Sequence, residues 1–213
     1  FLGKGQTVAL SLTVAALKSE VDFSFTEPYF MGREIRAGFD LFRVSQDLQD
    51  SSSFDTDRTG FGLRGGYLIT ESLRQDWRYG FKVSKVSDVG SAASQLIRNE
   101  IGTETTSEIS HILTYDKRDS PLLSTEGYVI RFKSDLAGLG GSVSHFRNKF
   151  TGAKYFPLAD QWVLSLSGNA GYIIGLGEDV GLLERFYVGG DNLRGFAFRG
   201  IGPRVSITKD SLG

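Results

Sequence analysis

Cysteine is absent from the chain, which excludes disulfide frameworks and thiolate metal sites. Only two histidines are present, His111 and His145. Neither sits in a His-x-x-x-His spacing, so no metal site is expected. No run approaches about 18 consecutive apolar residues, so no membrane-crossing helix is expected. An excess of one charge is also missing. The formal net charge is -1, and nothing points to nucleic acid as a partner. There is no Gly-x-Ser-x-Gly elbow and no phosphate loop. Ser110, His111 and Asp116 lie close in sequence, but neighbours on a strand face opposite ways, so they form no triad. The chain is therefore expected not to be an enzyme, and no cofactor is implied. It begins at Phe1 with no charged-then-apolar leader, so either a leader has been removed or the chain is a piece of something longer.

What is plentiful is glycine, 27 of 213 residues, nearly twice the roughly 7% average. Phenylalanine (16) and tyrosine (8) are also frequent, while methionine (1) and proline (4) are scarce. Glycine with aromatics points to a β protein with crowded backbones and rings at interfaces. Period-two alternation marks strands over 7–14, 21–26, 35–43, 59–69, 77–83, 128–135 and 162–172. In one of them Ile35, Ala37, Phe39 and Leu41 oppose Arg36, Gly38 and Asp40; in another Trp77, Tyr79, Phe81 and Val83 oppose Arg78, Gly80 and Lys82. Segments 108–116 and 145–156 are mixed on both faces but fit the spacing of strands.

Nine strands alternate between short connections (27–34, 70–76, 117–127, 157–161) and longer or more polar ones (46–57, 86–106, a glycine-rich 136–144 and the tail from Gly175). Lys18-Ser19 reads as a tight hairpin on the longer side. A soluble β-sandwich also alternates. Here the polar face carries Gly and Arg, while Trp77, Tyr79, Tyr128 and Trp162 lie near the short connections. Rings at that level suit a membrane boundary. The pattern favours a transmembrane β-barrel over a sandwich.

The stretch 186–204, FYVGGDNLRGFAFRGIGPR, is too glycine-rich for a helix interior and too aromatic for a disordered linker. Its Leu193-Arg194-Gly195-Phe196 resembles the Val-Arg-Gly-Phe or Val-Arg-Gly-Tyr hallmark in the sixth extracellular loop of the BamA family of outer-membrane β-barrel assembly factors. Leu replaces the usual Val. The flanks, Phe186-Tyr187-Val188-Gly189-Gly190 and Gly200-Ile201-Gly202-Pro203, are similar too. Ser24-Phe25-Thr26-Glu27-Pro28-Tyr29-Phe30 resembles an early periplasmic turn of that family. Thr114-Tyr115-Asp116-Lys117-Arg118-Asp119 with Ser124-Thr125-Glu126-Gly127 resembles a later one.

The resemblance implies an all-β fold: an antiparallel up-and-down transmembrane β-barrel, incomplete, with about nine strands of a barrel of about sixteen. Residues 1–175 would form the partial barrel, and residues 176–213 the long loop that folds into the lumen. The periplasmic POTRA domains and the closing strands would lie outside this chain, because open edges in lipid leave backbone groups unsatisfied. The implied function is insertion of nascent barrels into the bacterial outer membrane by strand addition at a seam. The implied partners are membrane lipid, nascent outer-membrane proteins, accessory outer-membrane lipoproteins and periplasmic chaperones. By the same resemblance Arg194 is a lumen anchor that meets acidic and aromatic groups on later strands. Gly195 gives backbone freedom there, and Phe196 packs on the inner wall. Arg36, Asp40, Arg58, Arg64, Arg78, Lys82, Arg131, Lys133 and Asp135 face the lumen, either as lining charges paired across strands or as docking points for the loop or for clients. A two-partner-secretion pore shares a similar loop and is the alternative. A passive porin would need neither motif.

Overall fold

The computed structural model describes residues 3–49, 54–90, 95–99, 101–190, 192–197 and 200–203. Nine strands follow one another: β1 (Thr7–Ala15), β2 (Lys18–Glu27), β3 (Ile35–Asp47), β4 (Asp55–Leu68), β5 (Leu73–Ser87), β6 (Gly102–Asp116), β7 (Gly127–Ala137), β8 (His145–Ala159) and β9 (Trp162–Gly175). Each pairs antiparallel with its neighbours in sequence, giving one sheet ordered β1 to β9. Such a meander needs only hairpins. β1 and β9 do not pair with each other, so the sheet is open.

Register decides what each face presents. Phe39 stands opposite Leu63, Leu63 opposite Tyr79, and Tyr79 opposite Ile109. The apolar sets of successive strands therefore fuse into rows on one face. That face is bare: Leu12 is 67% accessible, Leu41 49% and Leu63 52%. A sandwich would press these rows against a second sheet. Exposure of a whole apolar face is what a lipid-facing barrel wall requires. Near the 69–72 and 117–126 turns the rows end in rings. Trp77 lies 4.4 Å from the His111 ring, and Tyr115 lies 5.8 Å from Tyr128.

The opposite face is polar, and its glycines are seats for side chains. Arg64 lies flat over Gly38, where a Cβ would come within 2.8 Å of its Nε. From there it crosses β3 and donates to Thr26 Oγ1 on β2 at 2.7 Å. A carboxylate oxygen of Asp76 occupies the place a Cβ on Gly66 would take. At these two glycines the wall is thinned where a guanidinium or carboxylate lies across it.

The connections differ from expectation in two ways. The first hairpin turns at Ala16–Leu17, with Ala15 paired to Lys18, so Lys18-Ser19 belongs to β2. Loop length also separates the two ends poorly. The end carrying residues 88–101 also carries the two-residue turn 16–17, and the end carrying 160–161 also carries 117–126. Packing separates them better. At the first end, Leu48, Phe54, Val86, Ile97 and Leu182 form a buried apolar cluster. It joins connections 48–54 and 88–101 to the segment after β9.

Candidate functional site

The inner face carries a connected charge network at the level of β5 to β8. Arg147 on β8 is its hub. Its Nε donates to Asp135 of β7 at 2.9 Å. Its Nη2 donates to Glu108 of β6 at 3.0 Å. Its Nη1 donates to Glu184 at 3.4 Å. One planar fork thus serves three carboxylates, which a lysine could not do. Asp135 also accepts from Ser110 Oγ at 2.6 Å and pairs with Lys133 at 2.7 Å. The second oxygen of Glu184 accepts from Lys82 of β5 at 2.5 Å. His145 is nearly fully buried, with Nε2 3.3 Å from Glu108.

Glu184 is not on the wall. It closes the 3-10 turn Leu182–Glu184, after β9, so the segment following the last strand has folded back onto the inner face. Its neighbours confirm the docking. Leu182 enters the buried cluster, and the Phe186 ring covers Gly171 of β9, where a Cβ would meet it at 2.5 Å. Burial works against the Glu184 carboxylate, but Lys82 and Arg147 outweigh it and hold the group below the usual glutamate range.

Downstream, the described residues from Tyr187 to Ile201 are bridged as a small hairpin. Val188 bridges Ile201, and Gly190 bridges Leu193. Gly190 N donates to Phe196 O at 2.9 Å, and Gly200 N to Ala197 O at 2.8 Å. Asn192 ties the neck: its Oδ1 accepts from Gly189 N at 2.8 Å, and its Nδ2 donates to Tyr187 O at 2.8 Å. Gly189, Gly195 and Gly202 hold φ of 123°, 90° and 131°, values that L-residues resist. Leu193, Arg194, Gly195 and Phe196 make the exposed tip. Among the described residues Arg194 has no hydrogen bond or ion pair. Gly202 and Pro203 follow as exposed residues, and residues 204–213 lie outside the described part.

Of the expected lining charges, Arg36 pairs with Asp76 at 2.9 Å and Arg64 with Asp40 at 2.6 Å. Arg58 donates to Gln46 at 3.1 Å. Arg78 and Arg131 are exposed on the same recess as Arg36, Arg74 and Lys133, without an ion pair among the described residues. Ser110 and His111 face opposite ways: Ser110 bonds Asp135 on the inner face, while His111 stacks on Trp77 on the outer one.

The turn 117–126 explains the second motif. Asp116 Oδ2 receives Arg118 Nη2 at 2.6 Å. Asp119 accepts Thr125 Oγ1 at 2.6 Å and the Thr125 and Glu126 amides. Gly127 holds φ 94° with the Lys117 carbonyl where a Cβ would sit. These bonds close the hairpin end.

Sequence reasoning missed Glu184, Arg147, Glu108 and His145. One trace was available: Glu184-Arg185 is a charged pair set between Leu182-Leu183 and Phe186-Tyr187, and charges flanked by apolar residues call for partners.

Residues 1–213 match the Omp85 superfamily domain. The chain is 30% identical over 213 residues to the outer membrane protein assembly factor BamA of Neorickettsia risticii, covering 99% of this chain and 29% of that protein. It is 28% identical over 209 residues to the sorting and assembly machinery component 50 homolog of Mus musculus, covering 95% of this chain and 44% of that one. The fold is shared with the crystal structure of BamA from Haemophilus ducreyi lacking POTRA domains 1-3, at a TM-score of 0.82 and 20% identity, over 95% of this chain and 42% of that chain. The chain thus spans less than half the length of these relatives.

Proposed function

This chain belongs to the Omp85 superfamily, and on that premise we propose that the protein it forms part of inserts and assembles β-barrel proteins in the bacterial outer membrane. The chain itself is a stretch of outer-membrane β-barrel wall. The observation that carries the proposal is the alignment of 99% of the chain with an outer membrane protein assembly factor.

The physics requires no covalent chemistry from the chain. A client strand arrives with unpaired N–H and C=O groups, which cannot enter lipid alone. A barrel whose seam opens offers a strand edge as template, and the client extends the sheet by backbone pairing. Free energy comes from completing that ladder and from burying the client's apolar face in lipid. The wall described here supplies the frame. Its bare apolar face holds it in the bilayer, its inner face keeps the interior wet, and the segment after β9 folds into that interior. Accessory lipoproteins and periplasmic chaperones deliver clients to the inner mouth in this scheme.

Depleting the full-length protein in its host tests the reading. Many unrelated outer-membrane barrel proteins should fall together, with their unfolded forms accumulating in the periplasm. Loss of one secreted protein, with the barrel proteins unchanged, would assign the chain to a secretion pore instead.

A further inference from the structure

We propose that Glu184 is the root anchor of the segment after β9: it pins that segment to the inner wall between β5 and β8, and so positions the Arg194 tip for assembly. The proposal rests on the assembly reading for its functional half and on geometry for the rest.

The wall is electrostatically unfinished without this residue. In the hub, three ion-paired cations, Lys82, Lys133 and Arg147, face two wall carboxylates, Glu108 and Asp135. Glu184 supplies the third negative charge, one oxygen to Lys82 at 2.5 Å and the other to Arg147 at 3.4 Å. Its side chain is only 4% accessible, so it is not a solvated loop carboxylate that happens to lie near cations. Leaving an ion at that depth without its partners is costly, which makes the pairing specific to the docked position.

Apolar contacts on both sides of Glu184 fix the same position. Leu182 is buried with Leu48, Phe54, Val86 and Ile97, and the Phe186 ring lies over Gly171. The root also folds on itself: Arg185 Nε donates to Val180 O at 3.0 Å, and the Tyr187 phenolic hydroxyl, Oη, donates to Leu182 O at 2.8 Å. Arg194 follows ten residues after Glu184 in the sequence, at the tip of a hairpin closed by its own hydrogen bonds. A fixed root therefore limits where the tip can reach.

The test uses the full-length protein in outer-membrane preparations and two readouts. Trypsin cleavage after Arg185 reports release of the root, and insertion of a client barrel reports function. Heat-modifiable electrophoretic mobility shows that each variant barrel is folded. Glu184→Gln keeps the shape but places an amide against the Lys82 and Arg147 donors. It is expected to speed cleavage after Arg185 by about tenfold and to reduce client insertion. Glu178→Gln, exposed on the same segment, is expected to change neither readout. Lys82→Met combined with Glu184→Gln is expected to add less than the sum of the two, because they share one bond. Unchanged cleavage in a folded Glu184→Gln barrel overturns the anchor. Faster cleavage with undiminished insertion overturns its positioning role. Absence of client insertion by the unaltered protein defeats the assembly reading alone, and the cleavage result still decides the anchor.

Discussion

At the scale of the residue, position in the sequence gives the strand face a charge lies on, but not its long-range partners. Arg36, Asp40 and Arg64 fall on the polar phase of an alternating strand, and the structure pairs them there, Arg36 with Asp76 and Arg64 with Asp40. Glu184 meets Lys82 across 102 residues, and no local pattern encodes that contact. Arg147 was hidden in a strand whose faces both carry charge and rings. Asp119 gives a prediction at this scale. Bonding to Thr125, reinforced by backbone amides, lowers its carboxyl to about 2. A lowered folded-state value stabilises the turn above the ordinary aspartate range near 4 and loses that contribution as pH falls through about 2. The amides of Thr125 and Glu126, corrected for intrinsic exchange rates, should therefore lose hydrogen-exchange protection between pH about 4 and about 2. Asp119→Asn should show reduced protection already at neutral pH and little further change on acidification.

At the scale of the element, seven strands were legible from alternation over their middles, and β6 and β8, mixed on both faces, only from their spacing. Their ends were not. The ladder runs on through Ser45–Asp47, paired with Asp55–Asp57, and through Lys85 opposite Thr103. There the strands rise beyond the apolar rows and both faces are polar, so periodicity vanishes while backbone pairing continues. The first hairpin was displaced for a related reason. Ala16-Leu17 carries no turn-forming residue, whereas Lys18-Ser19 is polar, and polarity alone is a weak turn marker. Faces, unlike ends, are firmly specified, since a one-residue slip would turn every side chain over. Leu41, in the middle of β3 on the bare face, and Ser24, on the inner face of β2, make the contrast measurable. In the full-length barrel folded into bilayers, Leu41→Arg should cost about 2–4 kcal/mol by equilibrium denaturant unfolding. Ser24→Arg should cost about 0.5 kcal/mol or less.

At the scale of the whole molecule, the described residues hold little apolar interior. The one buried cluster sits where connections 48–54 and 88–101 meet the segment after β9, and the greasy surface is turned outward. Water would not tolerate such a face, whereas lipid covers it at no cost. Composition and alternation pointed to this inverted arrangement. The loop's return onto the wall was implied only by its family resemblance, because residues 176–203 carry no period of their own. Under the proposed function, wall, docked root and exposed Arg194 tip together make a frame for moving other proteins' strands into a membrane. The most direct measurement places the purified full-length protein in liposomes of outer-membrane lipid, adds an unfolded client barrel held by a periplasmic chaperone, and follows folding by heat-modifiable mobility. The client should fold and insert many times faster than in empty liposomes, with no nucleotide added. Equal rates with and without the protein, in liposomes where it is itself folded, would contradict it.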